Sequence, residues 1–401
     1  MSSAYTLSAV VATGDAFNRQ RSSQPATIFQ LLFQYDTQPL FMQYANTGTG
    51  STVKTANESS LTLSTGGTAS GAQAVAQTKE YFAYEPGKSQ LALMSGVLGV
   101  QTANVTSRIG YFDANNGVFF EMSGATGPAC VLRTNASGSV VETRILLANW
   151  SQTSLESGIP LANVFVDFSK AQIFVIDFQW LGCGRIRFGV FINGVIEYLN
   201  IINMGGVISG PYMNTGCLPC RYEITNNAVA AAATTMKLIC LSVVSEAGQE
   251  KPVLLNFSAN TKTTLDSVTT RRPILSIQPK LLFGGLANRG RVYPLLAELV
   301  VNTAATLYEI VYDGVLTGAT FNSVDPNSLC NFDTAATAIS GGTVYKTGFG
   351  IANFQNVIDI LCRYPVTLNF AGTVPDTISI VATSLSGTAT VGASITWEEL
   401  R

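Results

Sequence analysis

The sequence has no histidine and very little charge. Its 401 residues include no His, and charged residues make up only 12% of the chain. The lack of histidine excludes Ser-His-Asp and Cys-His catalytic sites, imidazole zinc sites and histidine pH switches. Because ordinary soluble domains are about 25% charged, we expect this chain to hide much of its surface, both in a large core and against neighbouring subunits.

The sequence also lacks strongly basic runs and long apolar runs. The net charge is −2 and no basic run is longer than Arg271-Arg272, so binding to nucleic-acid phosphates has no electrostatic basis. No apolar run approaches the roughly 18 residues that a membrane span needs. The first residues lack the charged region of a secretory signal. We therefore expect no nucleic-acid partner, no membrane span and synthesis in a reducing cytosol.

The cysteines do not form a recognisable framework. Seven cysteines at irregular spacing predict neither a set of disulfides nor a metal cage. Cys217-Leu218-Pro219-Cys220 is the single CxxC, and it lacks the two further ligands that a tetrahedral zinc site requires. We interpret it as two small residues in a loop, beside a turn. The sequence therefore predicts no metal site and no cofactor.

Residues 171–200 give the strongest structural signal, three β-strands in a row. Apolar residues alternate there with polar residues such as Asp177, which places the two sets on opposite faces of a sheet. The alternation recurs over 185–192. It is followed by Asn193-Gly194, the dipeptide best suited to a type I′ hairpin turn. The pattern predicts an antiparallel meander with an aromatic inner face.

Short strands separated by turn signals continue along most of the chain. This pattern predicts an all-β fold, a jelly-roll β-sandwich with a second, smaller β-domain and very little helix. We expect an N-terminal arm over 1–26, the jelly-roll core over 27–265 and the smaller domain over 266–401, with the polar stretch 260–273 as the boundary. The one helix candidate is 353–363, where apolar residues recur at helical spacing.

Two carboxylates in the meander are the best candidates for chemistry. Asp177 and Glu197 could face each other across a groove, and paired carboxylates are the minimum equipment for glycoside hydrolysis. The alternative is an ordinary cross-strand ion pair between Asp177 and Arg185 or Arg187. Since structural ion pairs are the commoner use of such groups, we assign no catalytic, cofactor-binding or metal-binding residue.

The remaining candidates are the tryptophans and the C-terminal acidic pair. Trp150, Trp180 and Trp397 could stack against a sugar ring, but tryptophans on alternating strands belong more often to the core. Glu398-Glu399 is expected to be solvent exposed.

Several segments, taken together, resemble virion structural proteins of large double-stranded DNA viruses and of some marine phages. They are YEPGKSQ at 84–90, RIGYFDANNG at 108–117, IDFQWLG and GRIRFG within 176–189, and LPCRYEI at 218–224. The resemblance covers roughly 80–260 and, more weakly, the tail at 395–398. Cys183 departs from it, because a small aliphatic residue is expected there.

This resemblance implies a non-enzymatic virion structural protein. The implied role is a capsid vertex (penton) subunit that docks on copies of itself, as a pentamer, and on neighbouring capsid proteins. It would be located in the virion capsid after assembly in the host cytoplasm. One alternative is a minor capsid or fibre protein with a lectin-like sandwich that binds a host glycan. Another is a glycoside hydrolase that uses Asp177 and Glu197.

Overall fold

The computed structural model describes residues 24–150, 166–246, 254–261, 266–360 and 365–401. The arm expected over 1–26 therefore lies almost wholly outside the described residues. Within them, the regular structure is β-strand apart from two three-residue 3₁₀ turns, Ala56–Glu58 and Leu147–Asn149. The described residues contain no helix that is long and apolar enough to cross a membrane. The predicted all-β jelly-roll sandwich, with very little helix, is confirmed.

Fifteen strands of the described residues build a first sandwich. They are β1 (Ala26–Leu32), β2 (Met42–Thr47), β3 (Ser51–Thr55), β4 (Ser60–Ser64), β5 (Gln73–Thr78), β6 (Gln90–Val97), β7 (Val105–Phe112), β8 (Gly117–Ser123), β9 (Gly127–Thr134), β10 (Val141–Leu146), β11 (Gln172–Phe178), β12 (Arg185–Ile192), β13 (Val195–Asn203), β14 (Cys220–Asn226) and β15 (Thr235–Ser245).

These strands form two antiparallel sheets. The eight-stranded sheet has the order β13-β12-β11-β6-β15-β4-β3, and β1 also pairs with β15. The seven-stranded sheet has the order β10-β9-β8-β7-β14-β5-β2. Since β6 and β7 are consecutive in the chain but lie in different sheets, as do β14 and β15, the chain crosses repeatedly between the two layers. Such crossing is typical of a jelly roll.

Aromatic side chains fill the space between these two sheets. Phe174, Phe178 and Phe188 of the eight-stranded sheet face Tyr111 and Phe120 of the seven-stranded sheet, and all five are buried. Their ring centroids lie 5.2 Å apart for Phe120 and Phe174 and 5.3 Å apart for Tyr111 and Phe178. Each buried ring stabilises the fold by about 1.5–3 kcal/mol through removal of apolar surface from water. The aromatic inner face predicted for the meander is confirmed.

A second sandwich follows, again counted over the described residues. Its strands are β16 (Leu255–Asn260), β17 (Asp266–Val268), β18 (Arg272–Pro279), β19 (Leu282–Phe283), β20 (Leu286–Ala287), β21 (Arg291–Asn302), β22 (Thr306–Tyr312), β23 (Val315–Thr317), β24 (Asn322–Ser323), β25 (Cys330–Asp333), β26 (Ala338–Ser340), β27 (Thr343–Gly350), β28 (Phe354–Asp359), β29 (Ile378–Ser384) and β30 (Ala389–Leu400).

The second sandwich also has two main sheets. One has the order β16-β30-β21-β28, with β17 also paired to β30, and the other has the order β24-β25-β18-β29-β22-β27. Their inner faces share one apolar core that includes the fully buried Trp397. Because β16 pairs with β30 over Leu255–Asn260, this sandwich begins before residue 266, where the sequence pattern placed its start.

The helix predicted over 353–363 is wrong in the part that the structure describes. Phe354–Asp359 is strand β28, paired with β21. Ile358 and Ile360 are buried, whereas Phe354 and Val357 are largely exposed. Burial near the end of this segment therefore follows the period of two of a strand. Backbone hydrogen bonds to β21 favour a strand here, although the apolar residues recur at helical spacing. The rest of the predicted helix, residues 361–363, lies outside the described residues.

The expected exposure of Glu398-Glu399 is wrong for Glu399. Glu399 is fully buried on β30. Its carboxylate accepts hydrogen bonds from the Ser328 hydroxyl at 2.6 Å, the Leu329 N–H at 2.8 Å and the Trp397 indole at 3.0 Å. Alternation along the strand directs Glu399 inward, where these three donors and the Arg401 guanidinium at 3.5 Å compensate for its burial.

Polar contacts join the two sandwiches. Arg291 of β21 forms an ion pair with Glu80, which follows β5. The neighbouring Lys79 Nζ lies 3.4 Å from Asp376 Oδ1. Lys79 and Glu80, which are consecutive in the first sandwich, thus pair with Asp376 and Arg291 of the second sandwich. These two ion pairs connect the sandwiches.

Candidate functional site

The outer face of the eight-stranded sheet holds the candidate site. Along β11, Phe174, Ile176 and Phe178 point into the core, so Ile173 and Asp177 point outward. The neighbouring strands add the outward residues that pair with these positions in the observed register. The alternation of the sequence builds most of this face, and register shifts between Leu238 and Cys240 on β15 and between Phe188 and Gly189 on β12 complete it.

A groove of about 700 Å³ crosses this face. Its floor comes from β1, β6, β11, β12 and β15, and one wall comes from the segment after β1. The lining residues are Gln30, Leu31, Leu32, Gln34, Tyr35, Gln38, Leu93, Ser95, Ile173, Phe191, Cys240, Leu241 and Ser242. The wall is held in place because Gln38 Nε2 donates to the Leu32 carbonyl at 3.1 Å and the Gln38 N–H donates to Asp36 Oδ1 at 2.9 Å.

The chemistry of the groove is apolar and amide-rich, and none of its lining residues is charged. Tyr35 is 83% exposed at the rim, and Phe191 lies across the floor. Gln30, Gln34 and Ser242 provide amide and hydroxyl groups that can both donate and accept hydrogen bonds. The groove therefore suits an uncharged ligand that has both apolar faces and many hydroxyl groups.

Asp177 lies on the same face, four residues along β11 from Ile173. At about 3.3 Å per residue, this places Asp177 about 13 Å from that end of the groove. Its carboxylate is paired with Arg187, directly opposite on β12. It also accepts hydrogen bonds from the Tyr198 hydroxyl at 2.9 Å and the Ser89 hydroxyl at 3.0 Å. The cross-strand ion pair that the sequence suggested for Asp177 is confirmed with Arg187.

A second carboxylate, Glu246, reaches the same neighbourhood from the end of β15. The Glu246 N–H donates to the Ser89 carbonyl at 2.9 Å. Glu246 lies two residues beyond Val244, which pairs with Leu91, and Leu91 pairs with Asp177. Burial raises the pKa of Glu246, the charge of Asp177 raises it further, and Arg187 opposes both. The two carboxylates therefore interact electrostatically on one face of the sheet.

The predicted pairing of Asp177 with Glu197 is wrong. Glu197 is opposite Val190 in the register of β12 with β13, and Val190 points into the core. Asp177 is opposite Arg187, on the other face of the same sheet. Asp177 and Glu197 therefore project from opposite faces. The acidic neighbour of Asp177 is Glu246.

The tryptophans considered for sugar stacking are not in the groove. Trp150 and Trp397 are buried, and their indole N–H groups donate to the Ile145 carbonyl and to Glu399. Trp180 is half-buried and packs edge-on against Tyr84 at 5.9 Å. The interpretation of these residues as packing residues is confirmed for Trp150 and Trp397.

The cysteines of the CxxC are free thiols. Cys217 is half-buried in the loop before β14, and Cys220 is buried as the first residue of β14. Among the described residues, no group of three or more His, Cys, Asp or Glu side chains is arranged to hold a metal ion.

The groove residues were missed by sequence reasoning, although one signal was present. Phe191 occupies the polar side of the β12 alternation, in line with Arg185 and Arg187, and an aromatic residue there marks an exposed apolar surface. Tyr35 and Glu246 carry no comparable signal, because their positions depend on which strands pair.

Comparison with known proteins gives structural matches only. No family model and no curated protein matches the chain. Similar solved structures include a glycosyl hydrolase family protein from Mycobacterium fortuitum, with 12% identity, a TM-score of 0.37, 54% of this chain covered and 99% of that chain. An endo-1,3-beta-glucanase from Streptomyces sioyaensis is 8% identical, with a TM-score of 0.37. The match covers 57% of this chain and 99% of the glucanase chain.

A beta-glucanase from Bacillus licheniformis is similar at the same level, with 13% identity, a TM-score of 0.34, 58% of this chain covered and 100% of that chain. At these identities the likeness concerns the fold, and the activity of this chain has to be argued from its own residues.

The virion structural role predicted from the sequence is contradicted: the three similar solved structures reported above are a bacterial glycosyl hydrolase family protein and two bacterial glucanases. The prediction that the chain has no enzymatic activity, which also drew on the absence of a convincing active site in the sequence, is contradicted by the same matches. The expected partners and the expected location in the capsid stay predictions.

Proposed function

We propose that the first sandwich binds a neutral polysaccharide along the outer face of its eight-stranded sheet. The observation that carries this proposal is the groove of about 700 Å³, which combines an aromatic rim, an apolar floor and amide side chains without any charged lining residue. A volume of this size is in the range of ligand sites, about 300–1,000 Å³.

The chemistry of a sugar matches this lining in two ways. The C–H face of a pyranose ring packs on apolar side chains such as Tyr35, Phe191 and Ile173 by dispersion. The ring hydroxyls need partners that donate and accept, which Gln30, Gln34 and other uncharged polar side chains of the lining provide. A charged polymer would find no counter-charge among the lining residues, so a neutral chain is favoured.

The test is binding of neutral glucan oligosaccharides to the intact protein by isothermal titration calorimetry, preceded by a glycan array. Tyr35→Ala and Phe191→Ala should each weaken binding by tenfold or more. Phe349→Ala is the matched control, since Phe349 is 68% exposed on the second sandwich and should leave binding unchanged. The absence of binding to any glycan on the array would overturn the proposal. Affinities of the Tyr35→Ala and Phe191→Ala variants equal to that of the wild type would also overturn it.

A second candidate function, glycoside hydrolysis, is favoured by the acidic pair beside the groove. Asp177 and Glu246 lie on the same outer face, and their environments differ. Glu246, whose pKa is raised, is suited to protonate the leaving oxygen as the glycosidic C–O bond breaks. Asp177 is then the carboxylate that assists attack at the anomeric carbon, with water supplying the new oxygen.

This candidate is tested by the release of reducing ends from neutral glucans. Asp177→Asn and Glu246→Gln should each abolish turnover, and the activity should fall as pH rises through the raised pKa of Glu246. Glu197→Gln is the control, because Glu197 faces the other side of the sheet. Turnover that survives both substitutions, or an absence of turnover on every neutral glucan, would end this candidate while leaving the binding proposal standing.

A further inference from the structure

A second cavity lies between the two sandwiches and carries a different chemistry from the groove. It has a volume of about 210 Å³, and its walls include Tyr81, Thr215 and Cys217 of the first sandwich. The second sandwich provides Arg289, Arg291 and Arg401. Whereas the groove has no charged lining residue, this cavity is lined by three arginine residues.

Two of these three positive charges have carboxylate partners. Arg291 forms an ion pair with Glu80. Arg401 lies 3.5 Å from the carboxylate of Glu399. Among the described residues, Arg289 has no carboxylate partner. Its contacts are backbone carbonyl groups and an aromatic ring, so no carboxylate in direct contact neutralises its positive charge.

Arg289 is nevertheless held firmly in place. Its Nη1 donates to the Asn369 carbonyl at 2.8 Å and its Nη2 donates to the Phe370 carbonyl at 2.9 Å. Its guanidinium lies 4.6 Å from the centre of the Tyr81 ring. Gly372 makes room for it, since a Cβ at that position would lie 3.2 Å from Nη2. These contacts are neutral, so they fix the orientation of the guanidinium without cancelling its charge.

A guanidinium held in a fixed position loses little side-chain entropy when a ligand binds, which favours binding. Arginine also presents several N–H donors in one plane, and a carboxylate, sulfate or phosphate group accepts two of them at once. Thr215 of the first sandwich adds a neutral hydroxyl-bearing residue to the lining.

We infer that this cavity is a binding site for a small ligand that carries one oxyanion group, with Arg289 as its principal contact. The ligand would touch residues of both sandwiches and would therefore stabilise their association. This inference is independent of the function proposed for the groove, because the two sites share no lining residue.

The experiment compares the thermal midpoint and calorimetric binding of the full chain in sulfate, inorganic phosphate, acetate and chloride at matched ionic strength. We expect at least one of the three oxyanions to bind and to raise the midpoint above its value in chloride. The identity of the effective anion separates a carboxylate ligand from a sulfate or phosphate ligand.

Variants separate ligand binding from a purely structural role of Arg289. Arg289→Gln should weaken oxyanion binding tenfold or more, and Arg289→Lys, which keeps the charge, should restore part of it. Arg271→Gln is the control, since Arg271 belongs to the second sandwich and pairs with Glu309 away from the cavity.

Two outcomes would overturn the inference. One is the absence of any difference between chloride and the three oxyanions in the wild-type protein. The other is an oxyanion effect that is equal in wild type, Arg289→Gln and Arg289→Lys, which would reveal an adventitious ion only. If Arg289→Gln fails to fold, the Arg289→Lys variant and the wild-type anion series still decide between these results.

Discussion

The hydroxyl of Tyr198 donates a hydrogen bond of 2.9 Å to Oδ2 of Asp177, although the two residues lie on strands separated by β12. The intervening strand places Arg187 between them, and the Arg187 guanidinium lies 4.3 Å from the centre of the Tyr198 ring. Three neighbouring strands thus direct one side chain each toward a single polar cluster on the face that holds the groove.

The first prediction concerns the stability of this cluster. Asp177→Asn removes the anionic partner of a partly buried guanidinium, and we expect the first sandwich to lose about 2–4 kcal/mol of unfolding free energy. Tyr198→Phe removes one hydrogen bond and should cost about 1 kcal/mol. Urea unfolding followed by the fluorescence of Trp150 and Trp180 measures both. Equal, small effects of the two substitutions would contradict the central position of Asp177.

The second prediction concerns the buried carboxylate of the last strand. Glu399→Gln weakens charge-assisted hydrogen bonds from Ser328, Leu329 and Trp397, and we expect a loss of about 2–3 kcal/mol in the second sandwich. Glu398→Gln, one residue earlier and partly exposed, should change stability by less than about 0.5 kcal/mol. Unfolding monitored at Trp397 is the measurement, and a reversed order of the two effects would disprove the prediction.

The third prediction concerns acid stability of the seven-stranded sheet. Burial alone would raise the pKa of Glu223, but Arg221 and Arg108 outweigh it and hold the pKa below the ordinary 4.5. Both guanidinium groups bond to Glu223, Arg108 at 2.9 Å and Arg221 at 2.5 Å. A carboxylate with a lowered folded pKa adds stability that is complete above its ordinary pKa and is lost as pH falls through the folded pKa.

We therefore expect the unfolding free energy of the first sandwich to decline as pH falls below about 4.5. Glu223→Gln should flatten this decline, although it lowers stability at neutral pH because the two arginines lose their partner. Urea midpoints from pH 6 to pH 3 provide the measurement. A decline of equal slope in wild type and variant would assign the acid sensitivity to other carboxylates.

The fourth prediction concerns the hairpin between β12 and β13. Asn193 and Gly194 both have positive φ, 52° and 84°, as the type I′ turn predicted from the sequence requires. A Cβ at Gly194 would meet no atom within 4 Å, so Gly194→Ala should cost about 1 kcal/mol through backbone strain alone. Gly210→Ala is the control: its surroundings are equally open and its φ is ordinary. Equal urea-unfolding midpoints for the Gly194→Ala and Gly210→Ala variants would contradict the prediction that backbone strain at Gly194 lowers stability.

The all-β class, the central meander and its turn follow from local patterns in the sequence. Alternation over 171–200 is a local pattern with a period of two, and Asn193-Gly194 satisfies a local backbone requirement, so neither depends on distant residues. The ion pair of Asp177 with Arg187 was also within reach, because the hairpin that joins β11 and β12 limits which residues can face each other.

The candidate site, in contrast, depends on pairing between distant strands. A shift of one residue in the register reverses the face of every side chain on a strand, and the register of β12 with β13 directs Glu197 away from Asp177. Glu246 comes near Asp177 because β6 lies between β11 and β15, an order that no local pattern specifies. The strand at 354–359 likewise depends on its pairing with the distant β21, and the arginine-lined cavity depends on contact between the two sandwiches. Pairing between distant strands, and contact between two sandwiches, are decided by the packing of the whole chain.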